Sequence, residues 1–493
     1  MTDCEGYTKT SATHSLVKSI DWKEGLIIAL GVPILILPSL YDISGTVWAF
    51  SIIIWGVSVL QGFMQNFAIG EMAAALEVPG IGGCAQKIFG ASSKKGKYKL
   101  GNFLGAFTAW SYWFTWTPVI PIFTIMAGTY LQEFVEPLAS INSTVLNLVI
   151  GMMIFGLIIV AGMKGLAGGA KLGLILAAIT IIPLVVVVTI PFFTGEFHLS
   201  TIQNEFLPST WKWNFHEIFL IFGTFAIAQW SACAWESVAT YGAEYKDPGK
   251  NLPKALIGCG LICLLIYVLV SSSVFGTLGM SGIEEAGYAT LVPIAIKDFG
   301  EIGSSIAIIL LVSGMIMLVQ TAFLGSSRTL YFMGKEGNMP RFFSHTNKKN
   351  APIYAMLFQA FIGMCMIPLG SPEMILAASS FGFCLALGMS MLCFIKFRRE
   401  DCWKEVRSKR KYIAPRGWYW VAFGLMIYQF FVLIPCCAIW SMDVFGIQSV
   451  VLGALILLVY IPVWVYLQHK NANADGDLPE EVIASSILID EKE

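Results

Sequence analysis

Twelve apolar stretches, each long enough to cross a bilayer, follow one another along this chain. They fall near residues 23–43, 46–76, 101–132, 143–162, 169–194, 215–241, 254–280, 303–333, 352–370, 374–397, 418–441 and 447–468, and are called helices 1 to 12 below. A hydrocarbon core about 30 Å thick takes about 20 helical residues. Inside it every backbone N–H and C=O must find a partner within the protein, which leaves helices or closed barrels. Continuous runs of this length specify helices. Only 13% of the 493 residues are charged, about half the share of a globular domain, so lipid covers most of the surface. The expected fold is an all-α polytopic membrane protein of about twelve transmembrane helices.

Basic residues mark the cytoplasmic side. Lys87, Lys94, Lys95, Lys97 and Lys99 follow helix 2; Lys164 and Lys171 follow helix 4; Lys246, Lys250 and Lys254 follow helix 6. Arg328, Lys335, Arg341, Lys348 and Lys349 accompany the end of helix 8, and a basic run from Lys396 to Arg416 follows helix 10. The alternate loops hold mainly glutamates, with only Lys212 and Lys297 among them. Both termini are expected in the cytoplasm of a plasma-membrane protein. Met1 to Glu24 is polar and mixed in charge, unlike a signal peptide. The acidic stretch from Asn471 reads as a solvated tail. Asn142-Ser143-Thr144 matches a glycosylation sequon, which has meaning only in a eukaryote.

Several function classes fall away. A net charge of −1 offers nothing to nucleic acid. Eight of the eleven cysteines lie in apolar segments, as small hydrophobes do, and no Cys/His spacing suggests zinc. The five histidines (His14, His198, His216, His345, His469) sit in loops or near segment ends, so an enzyme is not expected. The lipid bilayer and a small-molecule substrate are the expected partners, with no cofactor beyond a possible coupling ion, H+ or Na+.

Two helices are interrupted. Helix 1 carries Gly31-Val32-Pro33, and helix 6 carries Trp230-Ser231-Ala232-Cys233-Ala234-Trp235-Glu236, with a carboxylate inside it. A membrane helix loses hydrogen bonds or buries a charge only where neighbours or a cavity compensate. Interrupted helices in corresponding halves of a chain point to a transporter binding site.

Further blocks give the chain a family likeness. They are Gly70-Glu71-Met72-Ala73-Ala74-Ala75-Leu76 with Pro79-Gly80-Ile81-Gly82-Gly83, Ala109-Trp110-Ser111-Tyr112-Trp113, and Ala234-Trp235-Glu236-Ser237-Val238-Ala239 running on to Glu244 and Ala255. Ser326-Ser327-Arg328-Thr329-Leu330-Tyr331 with Glu336-Gly337-Asn338-Met339-Pro340, and Ala414-Pro415-Arg416-Gly417, complete the set. In this order the blocks resemble the amino acid–polyamine–organocation (APC) superfamily of secondary transporters, amino acid permeases among them. The resemblance implies an inverted five-plus-five repeat with two additional helices. The boundaries would be a cytoplasmic N-terminus 1–22 and a transporter domain 23–468. That domain divides into repeat one near 23–195, repeat two near 214–398 and extra helices near 417–468, and a tail 469–493 follows it.

The resemblance also implies a substrate held between unwound helices 1 and 6. Gly31, Val32 and Pro33 match the bend whose N–H groups receive a substrate carboxylate, but Pro33 has no N–H and Val32 narrows the approach. Trp230 would be an aromatic wall, with a cation–π capacity toward an amine. Ser231, Ala232 and Cys233 would let a substrate ammonium reach backbone carbonyls, with Trp235 beside them. Tyr112 and Trp113 would add an aromatic face from helix 3, and Gln320 a polar group from helix 8. Glu236 would couple transport to protons or pair with a cation; the alternative is a structural carboxylate steadying the broken helix. Thr180 falls where some proton-coupled relatives carry lysine, and a threonine cannot supply that charge. Glu244, beside Lys246, reads as solvated. The function implied is alternating-access transport of amino acids or related amines. The alternatives are a polyamine or cationic-amine carrier or exchanger, and a substrate sensor with a carrier fold.

Overall fold

The structure, a computed structural model, describes residues 16–91, 100–369 and 372–476. Lys94, Lys95, Lys97 and Lys99, and the acidic residues from Asp477 onward, lie outside them. Ten helical runs among the described residues are long and apolar enough to cross a membrane; the first is long enough for two passes, and a shorter apolar helix, Ile353–Met366, stands where helix 9 is expected. Helix 1 is Trp22–Ala29, a 3-10 turn Val32–Leu35, and Ile36–Val47. Helix 2 is Ser51–Leu76. These two make one helical run of 55 residues, or about 80 Å at 1.5 Å per residue, so the run must pass twice. It reverses at Trp48, whose φ is 50°.

Helix 3 comes in two pieces, Leu100–Trp116 and Val119–Phe134. The sequence suggests one long tilted segment there; Pro118, which lacks a donor and crowds the preceding turn, divides it. Helices 4 and 5 are Ser143–Met163 and Leu166–Thr189. Helix 6 is Phe215–Ala232 followed by a 3-10 run, Ala234–Tyr241. Helices 7 to 10 are Pro248–Ala286, Glu301–Lys335, Ile353–Met366 and Pro372–Arg399. Helix 11 spans Trp418–Phe445, with a π turn at Gln429–Leu433. Helix 12 is Ile447–Leu458 and Tyr460–Gly476. It continues past the expected end at 468, where Asn471 donates to the Gly337 carbonyl at 3.1 Å.

The helix starts follow from local sequence. Asp21 and Glu24 form a reciprocal capping box on helix 1, and Asn214 and Glu217 do the same on helix 6, each satisfying otherwise orphaned N–H groups. Asn142 of the sequon caps helix 4, accepting from Val145 N at 3.2 Å. One helix was not foreseen. Gly80–Ala91 is helical and packs on helix 3, where its glycines and Lys87 suggest a loop; Lys87 is tied to Glu336 at 3.0 Å.

The passes form two sets. Helices 1, 2, 6 and 7 pack on one another, and helices 3, 4, 8 and 9 do likewise. Helix 10 touches both sets. The apolar windows of helices 3 and 10 are 89% buried, whereas those of helices 11 and 12 are 28% and 22% buried. The last two therefore lie at the lipid-facing edge. A knot of amides crosses this edge into the bundle. Gln61 and Gln65 of helix 2 and Gln429 of helix 11 all donate to the Gln229 side-chain carbonyl of helix 6, and Gln229 Nε2 donates in turn to Gln429 Oε1 and Cys384 Sγ. Gln429 opens the π turn, the local widening that brings its amide inward.

Candidate functional site

The break in helix 1 leaves carbonyls without helical partners, and side chains from neighbouring helices receive them. Thr321 of helix 8 donates to Ile28 O at 2.8 Å and lies 3.1 Å from Met317 O. Tyr267 of helix 7 donates to Val32 O at 3.2 Å, and Cys259 faces Ala29 O at 3.8 Å. Gly31 is needed for this approach. A Cβ there would strike Thr321 Oγ1 and come within 2.9 Å of the Met317 carbonyl, and backbone of helix 8 cannot step aside. Pro33 sits in the 3-10 turn, and Ile34 N is already donated to Gly31 O at 3.1 Å. The turn therefore offers few N–H groups to a carboxylate.

Helix 6 meets helix 1 at this level. Ser231 Oγ and Ser39 Oγ are 2.9 Å apart. Trp230 is buried, and its indole N–H has no hydrogen-bond partner. It lines a collapsed gap, too narrow in this structure to admit a water molecule, with Leu35 of helix 1, Thr115, Trp116 and Val119 of helix 3, and Ala234 of helix 6. The gap is apolar and aromatic, and its wall joins the two packing sets.

Glu236 lies beyond the gap on the 3-10 run and is 1% exposed. Tyr112 of helix 3 donates to its Oε1 at 2.9 Å, with Thr240 Oγ1 at 3.0 Å from the same hydroxyl. The other carboxyl oxygen, Oε2, is buried with no partner. A buried carboxylate with one donor and no cation is costly. The group is thus suited to holding a proton or meeting a cation.

The remaining expected residues separate by face. Cys233 donates to Ser58 O at 3.1 Å, toward helix 2. Trp235 packs on Phe63 of helix 2 with the rings tilted and their centroids 4.9 Å apart. Trp113 donates to Gln359 of helix 9 at 3.0 Å. Gln320 donates to Gly169 O of helix 5 at 2.6 Å. Ala232 is buried in the last turn before the break. Thr180 is paired with Ser313 of helix 8 at 2.8 Å. Ser231 and Trp230 thus face the junction with helix 1 and the gap. Trp113, Cys233, Trp235, Gln320 and Thr180 instead make packing contacts elsewhere. Leu35, Thr115 and Val119 were missed, because an apolar or hydroxyl side chain lining a gap looks like one lining a core.

Glu244 corrects the sequence reading outright. It is 4% exposed and bound to Arg328, Nε to Oε1 at 2.5 Å and Nη2 to Oε2 at 3.4 Å. The Arg328 guanidinium also donates to Leu324 O and lies 5.3 Å from the Tyr241 ring centre. The segment before helix 1 covers this pair. Ser19 N and Ile20 N donate to Glu244 O, Lys246 N donates to Ile20 O, and Ile20 and Tyr245 form a parallel β-bridge. Arginine buried this way needs its carboxylate. The bundle is closed at the end that carries the N-terminus. No group of His, Cys, Asp and Glu among the described residues is placed to hold a metal ion.

A family model described as "Amino acid permease" matches residues 20–463. Among curated proteins, the chain is 25% identical over 355 residues to an "Uncharacterized amino acid permease YecA" of Bacillus subtilis, covering 70% of this chain and 76% of that one. It is 23% identical over 388 residues to a "D-serine/D-alanine/glycine transporter" of Escherichia coli K12, covering 75% and 79%. A "Polyamine transporter PUT1" of Oryza sativa subsp. japonica is 27% identical over 197 residues, covering 38% and 34%.

Proposed function

Since this chain belongs to the amino acid permease family, a family of transporters and not of enzymes, we propose that it carries amino acids or closely related amines by alternating access. The substrate would lie at the helix 1–helix 6 break, in the space that Trp230 lines. The observation that carries the reading is the coincidence of three features at one place. Both interrupted helices meet there, the wall of the gap joins the two packing sets, and a buried indole N–H is left without a partner. Rocking one set against the other would expose this space to each side in turn. The positive charge placement supports cytoplasmic termini and a plasma-membrane location, so the closed end in this structure is the cytoplasmic one. Glu236, tied to the other set through Tyr112, is the coupling candidate.

A second reading has its own support. The 3-10 turn at Val32–Leu35 contains Pro33 and spends the Ile34 N–H internally, which favours an amine without a carboxylate. Counterflow in proteoliposomes tests both. Labelled amino acid and the amine left by its decarboxylation should be compared in wild type and Trp230→Ala. Saturable exchange of the amino acid, lost in Trp230→Ala protein that remains folded, is the expected result. Exchange of the amine alone would transfer the conclusion to the second reading, and binding without counterflow of either would mark a sensor. Glu236→Gln should flatten the pH dependence of uptake; an unchanged profile would make Glu236 structural.

A further inference from the structure

One carboxylate of helix 2 pins the segment between helices 10 and 11. Glu71 is fully buried. It accepts from Arg398 Nε at 3.2 Å and Nη2 at 2.5 Å, and from the backbone N–H of Ala414 at 2.8 Å. Arg410 Nε lies 3.2 Å from its other oxygen. Arg398 donates onward to Ala414 O at 2.6 Å and Pro415 O at 3.3 Å. Arg407 donates through Nη1 to Phe397 O and Glu400 O, and Arg410 donates to Arg407 O at 2.8 Å. The segment is thus a strap whose backbone is held by three guanidinium groups. Lys411 joins it to Asp247 at 3.0 Å, at the end of the bundle that carries the N-terminus.

The charge of the strap is not balanced. Residues 396–416 carry nine basic and three acidic side chains. Glu71 serves both Arg398 and Arg410, Glu400 is taken by Lys396, Glu405 by Lys409 and Asp247 by Lys411. Arg399, Lys404, Arg407 and Arg416 form no ion pair among the described residues, and Asp401 is the one carboxylate of the strap left over. The crowding of cations is felt at Arg410: burial lowers its pKa from the usual arginine value, Glu71 opposes this, and Arg398 and Arg407 add to the lowering.

The strap also runs into a lipid-facing surface. Ile413, between Lys411 and Arg416, is 56% exposed. An isoleucine so exposed among charges suits a segment lying in the bilayer interface, where an apolar side chain is buried and basic groups meet headgroups. Trp418, at the start of helix 11, donates its indole N–H to Met64 O of helix 2 at 2.9 Å and meets the Phe67 ring edge-on. Met64 and Leu60 carry the exposed apolar face on along helix 2.

We propose that the strap is a binding site for the phosphate headgroup of an anionic lipid. Arg399, Lys404 and Arg416 supply counter-charge, the N–H groups of Arg407 beyond Nη1 supply planar donors that suit phosphate, and the acyl chains lie along the face that Ile413, Trp418 and Met64 begin. A free phosphate ion would use the charge and leave the apolar face empty. Glu71 ties the strap to helix 2, and helix 10 touches both packing sets, so a bound lipid would bias their relative position. That consequence rests on the alternating-access reading, and the cytoplasmic location on the orientation proposed above; the binding rests on neither.

The test is native mass spectrometry of the purified full-length protein with phosphatidylglycerol, beside phosphatidylcholine, with inorganic phosphate as competitor. Phosphatidylglycerol should be retained in preference to phosphatidylcholine. An Arg399→Gln, Lys404→Gln, Arg416→Gln triple variant should reduce that preference by roughly 100-fold, the effect of three basic residues facing an anionic lipid. All three side chains are exposed, so the melting temperature should stay at the wild-type value, and each single variant should show part of the loss. A Lys164→Gln, Lys348→Gln, Lys349→Gln triple variant removes the same charge from exposed positions in other loops and should bind as wild type does. No preference in the wild type, an unchanged preference in the strap variant, or an equal loss in the second triple variant would overturn the proposal. Displacement of the lipid by excess inorganic phosphate would overturn it as well, by assigning the strap to the free ion.

Discussion

Replacing Glu244 by glutamine should open the N-terminal end of the bundle. In this closed structure Arg328 and Glu244 are both buried and hydrogen-bonded through two nitrogens. Removing one member of such a pair strands the other charge, at a cost of about 3–5 kcal/mol. In a conformation open at this end the same pair would be hydrated, where an ion pair is worth about 0–1 kcal/mol. The substitution thus penalises the closed state by about 2–5 kcal/mol more than the open one, a shift of roughly 30- to 5000-fold in their ratio. The segment Leu16–Ile20 is laid over the pair through backbone bonds to Glu244 and Lys246, so its amides report the change. Hydrogen exchange at Ser19 and Ile20 should accelerate by a comparable factor in Glu244→Gln, and Arg328→Gln should do the same. Wild-type protection in both variants would refute the claim that this pair holds the end shut.

Thr321→Val should destabilise the fold by about 1–3 kcal/mol, the cost of a buried carbonyl left unpaired, because Ile28 O loses its donor. Thr321→Ser should restore the melting temperature, and a valine variant as stable as the serine one would mean that the helix 1 break is satisfied otherwise. Asp298, outside the membrane passes, has both carboxyl oxygens buried without partners; burial, then the nearby Glu196, pushes its pKa up to about 6. The folded state keeps a proton that the unfolded state sheds near pH 3.8, so wild-type stability should fall as pH rises between these values and then level off. Asp298→Asn should melt higher than wild type at neutral pH and equally at the acid end; a constant difference across that range would contradict this account.

The passes were legible because hydrophobic run length and backbone satisfaction leave a membrane chain few choices. The break at Gly31-Val32-Pro33 was legible for the same reason, since proline and glycine announce lost helical bonds. Trp230 and Ser231 could be named because the small residues after them mark helix 6 as interrupted. What could not be read was direction. Cys233 and Trp235 belong to the same motif as Trp230, yet the switch from α to 3-10 geometry after Ala232 turns them toward helix 2. The partners of the broken backbone, Cys259 and Tyr267, carry no local signal, because their role depends on how helix 7 packs. Glu244 looked solvated because its sequence neighbour is a lysine, and its actual partner lies 84 positions away.

The amide knot at Gln229 bears on how this chain can vary. Gln61, Gln65, Gln229 and Gln429 come from three helices, and the amides of the other three converge on the Gln229 carbonyl. Such a knot works as a key: rotating any one helix by a single residue would bury an amide with nothing to bond. Helix 11 lies at the lipid-facing edge, but through Gln429 it is keyed to the helix that carries Trp230. Replacement of one glutamine would strand the rest, so these four positions should change together across related sequences or not at all. Neighbouring lipid-facing positions on helix 11 should drift freely. The same key makes helix 11 a lever on helix 6, by which the thickness of the surrounding bilayer could bias the substrate site.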